Sequence, residues 1–242
     1  MSIAPRPTPP AAAPAPDPAP GPAPAPSYPG SPFPSLTERR KAATQQEIAR
    51  AAAALFAEHG TGVTADDIAR AAGVAPRTFY RYFRTKEDAV APLLAVGVRQ
   101  WLADLRRLAG EADDLPVRDV LERAARRALT PSDERAAEAL RWTRGLLRAM
   151  RDDPALRAVW HRVHHDSEEA LIPVLAGMTD AGAPEARLAA AAANTAMRVA
   201  VETWAAADDD APDERADGPA ELVVRNMRAL TAGLPGLDRR RT

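Results

Sequence analysis

The chain has 242 residues, 27% of them charged, a formal net charge of −1 and no cysteine. Lacking cysteine, it has no disulfide, thiolate metal site or cysteine nucleophile, and its near-neutral balance excludes a polycationic protein. Neither a signal-peptide start nor an apolar run of the ~20 residues that span a bilayer is present, so a cytoplasmic protein is expected.

Residues 1–34 hold 14 of the 24 prolines, with Arg6 and Asp17 as their only charges. Proline fixes φ and removes backbone donors, which predicts a disordered Pro/Ala-rich arm. Beyond it, Val, Ile, Tyr and Phe are sparse and no period-two alternation is sustained, so the expected fold class is all-α. Ser35-Leu-Thr-Glu38 reads as a capping box opening a helix that carries Ile48, Ala52, Leu55 and Phe56 and stops at Gly60. Thr64-Ala-Asp-Asp67 opens a second, short helix with Ile68, Ala71 and Ala72 inward, ended by Gly73. Pro76 then suits the first turn of a helix Pro76–Phe83, with Phe79 and Phe83 one turn apart on its inner face. A third box, Thr85-Lys-Glu-Asp88, starts a long helix carrying Val90, Leu94, Val98, Trp101, Leu105 and Leu108. Pro92 lies inside that pattern and predicts a kink where an effector tilts the preceding helices. Further helices are predicted over 116–129, 133–151, 153–178, 184–207 and 219–233, with a polar break at 207–219.

The stretch GVAPRTFYRYFRTKED, 73–88, sets rings and arginines side by side in a chain only 5% aromatic. Two short helices joined by a glycine turn form a helix-turn-helix, whose second helix enters the DNA major groove N-terminus first. Pro76, Arg77, Thr78 and Arg81 then fall near base edges, where Arg reads guanine bidentately and Thr offers a methyl or hydroxyl. Tyr80, Tyr82 and Lys86 are placed for phosphates, and Thr64 adds a hydroxyl at the start of the preceding helix. Residues 37–90 hold nine Lys/Arg against seven Asp/Glu, yet Arg77, Arg81, Arg84 and Lys86 form a local cluster without an intervening acid. Local rather than bulk charge would carry the affinity.

The segment VTADDIARAAGVAPRTFYRYFRTKEDAV, 63–90, resembles the DNA-binding domain of the TetR family of transcriptional regulators. Thr64, Ile68, Ala69, Ala72, Gly73, Val74, Thr78, Tyr80, Phe83, Lys86 and Glu87 match the family pattern in order and spacing, and the resemblance covers about 37–95. It implies the contacts assigned above, and an N-terminal helix-turn-helix three-helix domain followed by an α-helical ligand-binding and dimerisation domain. Three positions depart from the pattern. Ala75 replaces the usual capping Ser, Arg77 replaces a small residue and argues for a guanine in the operator, and Tyr82 stands where His is common.

The expected organisation is a disordered arm, 1–34; a DNA-binding domain, 35–88; a ligand-binding and dimerisation domain, 89–235; and a basic disordered tail, 236–242. The stretch LAAAAANTAMRVAVETWAAA, 188–207, is apolar on nearly all sides, as expected of a helix covered on two faces. Helices 184–207 and 219–233 are therefore the expected homodimer seam, the second contributing Leu222, Val223, Met227, Leu230 and Leu234. Ligand-pocket candidates are Trp142, Leu146, Met150, Trp160, His164, Met197 and Trp204, each of which also reads as ordinary core. Asn194, Arg198 and Glu202 form a polar line on an apolar helix, either an ion pair at a rim or an anchor for an effector. His161, His164 and His165 share metal-ligand spacing, but His161 and His165 turn to solvent, and no metal or cofactor is expected.

The expected function is a DNA-binding regulator, a homodimeric repressor released from a palindromic operator by a small-molecule effector, with no membrane partner. Repression itself is what the resemblance implies. Two alternatives stay open: a regulator without a small-molecule effector, and a helical enzyme with an appended helix-turn-helix. Against the enzyme stand a missing nucleophile motif, phosphate loop and catalytic carboxylate pair.

Overall fold

The computed structural model describes residues 35–111, 115–207 and 218–238. The expected arm 1–34 and residues 239–242 of the expected tail lie outside them. The described residues form nine α-helices and no strand: α1 Leu36–His59, α2 Ala65–Ala71, α3 Pro76–Tyr82, α4 Ala91–Glu111, α5 Val117–Ala128, α6 Glu134–Ala149, α7 Pro154–Met178, α8 Ala183–Ala206 and α9 Pro219–Thr231.

Two of the three capping boxes close as the sequence predicts. The Ser35 hydroxyl accepts from the Glu38 N–H at 3.2 Å while the Glu38 carboxylate accepts from the Ser35 N–H at 2.7 Å. Thr64 and Asp67 repeat the arrangement at α2, at 3.1 and 3.2 Å. The third box forms by half. The Thr85 hydroxyl accepts from the Asp88 N–H at 3.1 Å, but Asp88–Val90 is a 3-10 turn and α4 starts only at Ala91. Pro92 is thus the second residue of α4, in a turn whose N–H groups have no intrahelical acceptor, and it does not interrupt the helix as expected. Among the described residues, the proline in a helix interior is Pro173 of α7.

The α2–α3 turn follows from Gly73, whose φ of +66° suits a residue without a Cβ. The Gly73 N–H donates to the Arg70 carbonyl at 3.1 Å and the Val74 N–H to the Ala69 carbonyl at 2.9 Å, a Schellman ending that sets the angle of α3. Ile48, Ala52, Phe56, Ile68, Ala69 and Phe79 are buried where α1, α2 and α3 meet. Ala69 holds the inward position on α2 that the pattern gave to Ala71, which is exposed.

Beyond these helices α5 lies against α4 and α9, and α8 against α7, α6 and α9, all continuous with the same core. α8 has no glycine at its C-terminus. Instead Arg148 and Arg144 reach the Ala207 carbonyl at 2.8 and 2.9 Å, and Arg151 the Ala206 carbonyl at 3.2 Å, which satisfies its end from α6. α6 also touches α1, where a Cβ on Gly145 would meet the Ala57 Cβ at 3.1 Å. Leu222, Val223 and Met227 of α9 are buried inside this chain and cannot line an outer seam. Leu230 keeps its outward place.

Candidate nucleic-acid interface and adjoining cavity

α3 is seven residues long, too short to persist without tertiary support. Its support is Phe79, fully buried and packed edge-on to Tyr80 at 5.3 Å and tilted against Phe83 at 5.7 Å. With the rings holding the inner face, Pro76, Arg77, Tyr80 and Arg81 are exposed, and Thr78 and Tyr82 are half-buried. Ala75 gives α3 no side-chain cap. Ala75→Ser is therefore expected to raise stability by about 1 kcal/mol, read as a higher Tm.

Charge on this face is unspent. Arg77 and Arg84 make no hydrogen bond or ion pair with any described residue, and the Arg81 guanidinium lies over the Tyr82 ring at 5.2 Å. Two other predicted contacts are already occupied. Lys86 donates from Nζ to the Thr61 carbonyl at 2.7 Å, beside the Phe56 ring, and is half-buried. The Thr64 hydroxyl donates to Asp67 Oδ2 at 2.5 Å, and that bond, with those from Arg70 and the Thr64 N–H, holds the Asp67 carboxyl below its usual range. Thr64 and Lys86 thus brace the helix-turn-helix.

Of the other predicted site residues, Met150, His164, Met197 and Arg198 lie on one or other of two cavities that share Trp160. A cavity of about 820 Å³, open to solvent on one side, is lined by α4, α5, α6, α7 and α8, with Trp160, His164 and Met197 on its wall. A smaller one of about 300 Å³ takes Met150, Trp160 and Arg198. Trp142 and Leu146 border neither, because α6 turns Ala136, Ala139, Leu140 and Thr143 toward the larger cavity. The polar line on α8 splits in two. Arg198 pairs with Glu202 at 2.9 Å, and Glu202 also accepts from Trp160 Nε1 at 2.7 Å. Asn194 is buried and its Oδ1 lies 3.1 Å from His164 Nδ1.

His164 is itself buried, edge-on to Trp160 at 4.1 Å, and burial pushes its pKa down to about 4. The ring is therefore neutral at pH 7. His161 and His165 are exposed, so the three imidazoles do not converge on a metal. Sequence reasoning missed the α4 and α5 walls, including Leu93, Trp101 and Leu129. The available signal was Asp104, an acid between Trp101 and Leu105. It is buried at the cavity and held by Gln100 at 3.0 Å and Arg127 at 3.2 Å. An ion pair joins α7 to the helix-turn-helix: Arg162 binds the Asp88 carboxylate at the start of the 3-10 turn.

Comparison with known proteins places this geometry. The family model for bacterial regulatory proteins of the tetR family matches residues 48–91. MftR of Mycobacterium tuberculosis, named for transcriptional regulation of mycofactocin biosynthesis, is 39% identical over 99 residues. That match covers 40% of this chain and 46% of MftR, so the chain spans about half the length of that relative. A structure from Syntrophomonas wolfei, described as a TetR-family transcriptional regulator, matches 81% of this chain and 96% of its own at 17% identity, with a TM-score of 0.52. The TetR-family repressor AlkX from Dietzia sp., implicated in n-alkane biodegradation, matches 80% and 98% at 19% identity, with a TM-score of 0.50. These two share the fold. The helix-turn-helix of this chain is thus similar to that of the tetR family of bacterial regulatory proteins, whose model it matches over residues 48–91.

Proposed function

We propose that this chain is a homodimeric transcriptional regulator, a repressor that leaves a palindromic operator when a small molecule occupies the cavity beside Trp160. Residues 35–88 form the DNA-binding unit in this reading, and 89–235 the ligand-binding and dimerising one. The observation that carries it is the outer face of α3 and the turn after it, where Arg77 and Arg84 respectively are exposed with no partner among the described residues. A cation left without a counter-charge beside rings that fix its helix is suited to an anionic partner, and the major groove admits such a helix. Pro76, Arg77, Thr78 and Arg81 would meet bases. Tyr80, Tyr82, Lys86 and Thr64 would meet phosphates.

The effector clause rests on the cavity and on its links to the DNA-binding unit. α7 carries Trp160 and His164 at the cavity and Arg162 at Asp88, while α6 lines the cavity and packs on α1 at Gly145. A ligand that favours one position of α7 or α6 therefore favours one position of the two recognition helices, which must meet half-sites about 34–36 Å apart. Repression is the direction that family resemblance implies.

Binding to DNA flanking the chain's own gene, measured across a salt series with the wild type and Arg77→Ala, tests this reading. A palindrome bound with a steep salt dependence is expected, with a loss of about 1–3 kcal/mol for Arg77→Ala confined to one symmetric base position. A uniform loss at every position would move Arg77 from bases to phosphates. No sequence preference there or in a genome-wide fragment selection would overturn the regulator reading.

A further inference from the structure

The larger cavity is apolar in depth and cationic at its opening. Leu94, Leu129 and Met197 on its wall are nearly buried, and Val98, Leu108 and Leu140 are half-buried. The exposed lining differs from side to side. α4 supplies Val96, Gly97 and Gln100, which carry no charge, whereas α5 supplies Arg123, Arg126 and Arg127. These three arginines stand at i, i+3 and i+4 and so share one face of the last turns of α5. Exposed guanidiniums beside a buried apolar wall divide the site by depth. The part of a ligand that reaches inward meets hydrocarbon, and the part left at the opening meets positive charge.

The counter-charges do not cancel this edge. Among the described residues, the acid of the lining is Asp104, and it is already engaged by Gln100 at 3.0 Å, Arg127 at 3.2 Å and Arg107 at 3.4 Å. Arg126 pairs with Glu221 of α9 at 2.8 Å. Arg123 is exposed and makes no hydrogen bond or ion pair with any described residue. One guanidinium on the lining therefore has no counter-charge. A ligand cation would bring like charge to this edge and find no free carboxylate. A neutral head would leave Arg123 unanswered. A carboxylate can accept two parallel N–H bonds from one guanidinium, and at an exposed opening it keeps part of its hydration, so desolvation does not consume the gain.

Resting on the effector reading above, we infer that the cavity takes an amphipathic anion, an alkyl chain ending in a carboxylate. The chain lies along the leucine-rich wall and the head meets Arg123 at the opening. The test is calorimetric titration of the full chain with decanoate, 1-decanol and decyltrimethylammonium, each below its micelle concentration, across a salt series. Decanoate should bind about three- to tenfold tighter than decanol, the scale of a charge-assisted hydrogen bond at a partly exposed site, and the ammonium should bind weakest. Added salt should narrow the gap. Arg123→Gln, at an exposed position, should bring decanoate level with decanol and leave decanol binding as it was. Arg126→Gln, which removes a guanidinium already shared with Glu221, should keep most of the preference. Decanol or the ammonium binding as tightly as decanoate, or an anion preference that survives Arg123→Gln, overturns the inference and leaves the effector reading standing. Binding of none of the three overturns both. The wild-type comparison decides the matter even where a variant fails to fold.

Discussion

Phe79→Ala should abolish operator binding while leaving the chain's self-association in place. Phe79 is fully buried under a helix of seven residues, and truncating such a ring costs about 3–5 kcal/mol. Whole domains are stable by only about 5–15 kcal/mol, so the loss takes a large share of whatever holds α3 down. The effect is concentrated because α3 has no side-chain cap and meets the core chiefly through Phe79, Phe83 and the Gly73 turn. Without the ring, Arg77 and Arg81 lose a fixed relation to one another and to the groove. The outer faces of α8 and α9 are far from this packing in the chain's contacts and keep their form. Thermal melting, sedimentation and DNA binding on one preparation would check this, with Tm lowered by roughly 10 °C. Phe79→Leu, which keeps an apolar filler, should retain much of the binding. Near-wild-type affinity for Phe79→Ala would show that α3 is held by something other than its ring.

What could be read from the chain divides by how local its cause is. Ser35–Glu38 and Thr64–Asp67 are legible because a cap spans four residues and needs no distant partner. The Thr85 box failed in part because its acid, Asp88, has a stronger partner seventy-four residues away, Arg162. Pro92 was misjudged for the same reason: whether a proline kinks a helix depends on where the helix starts, and that start moved to Ala91. On α9, Leu222, Val223 and Met227 display a strong apolar face, but periodicity does not say whether its cover is α5 and α8 or a second chain. The cavity was the least legible feature. Its wall combines Trp101, Leu129, Leu140, His164 and Val201 from five parts of the chain, and only folding brings them together. His164 and Asn194 were found because polar residues on apolar helices need partners, and they are each other's.

The second large effect concerns the proposed dimer. Leu188 and Val199 of α8 are 53% and 36% exposed, and Leu230 of α9 is 42% exposed. Leu188 and Val199 are eleven residues apart, three helical turns, so they share one face, and half-buried Ala192 and Thr195 lie between them. The inner residues of the same helices, Ala193, Ala196, Ala200, Val223 and Met227, are fully covered within the chain. The exposed stripe is thus a second apolar face on elements whose first is already satisfied, and small residues along it allow close approach of another copy. Val199→Glu combined with Leu230→Glu places two like charges on each side of a two-fold seam, where each meets its own kind. Because both side chains are exposed in the single chain, the substitutions should leave its helix content and Tm nearly unchanged. Sedimentation should then show a monomer, and affinity for the full palindrome should fall by about 10²–10⁴, the gain that linking two sites supplies. Affinity for a single half-site should stay as it was, since α3 is untouched. A variant that remains dimeric would place the seam elsewhere, and the stripe of Leu188, Val199 and Leu230 would then need another partner to explain its exposure.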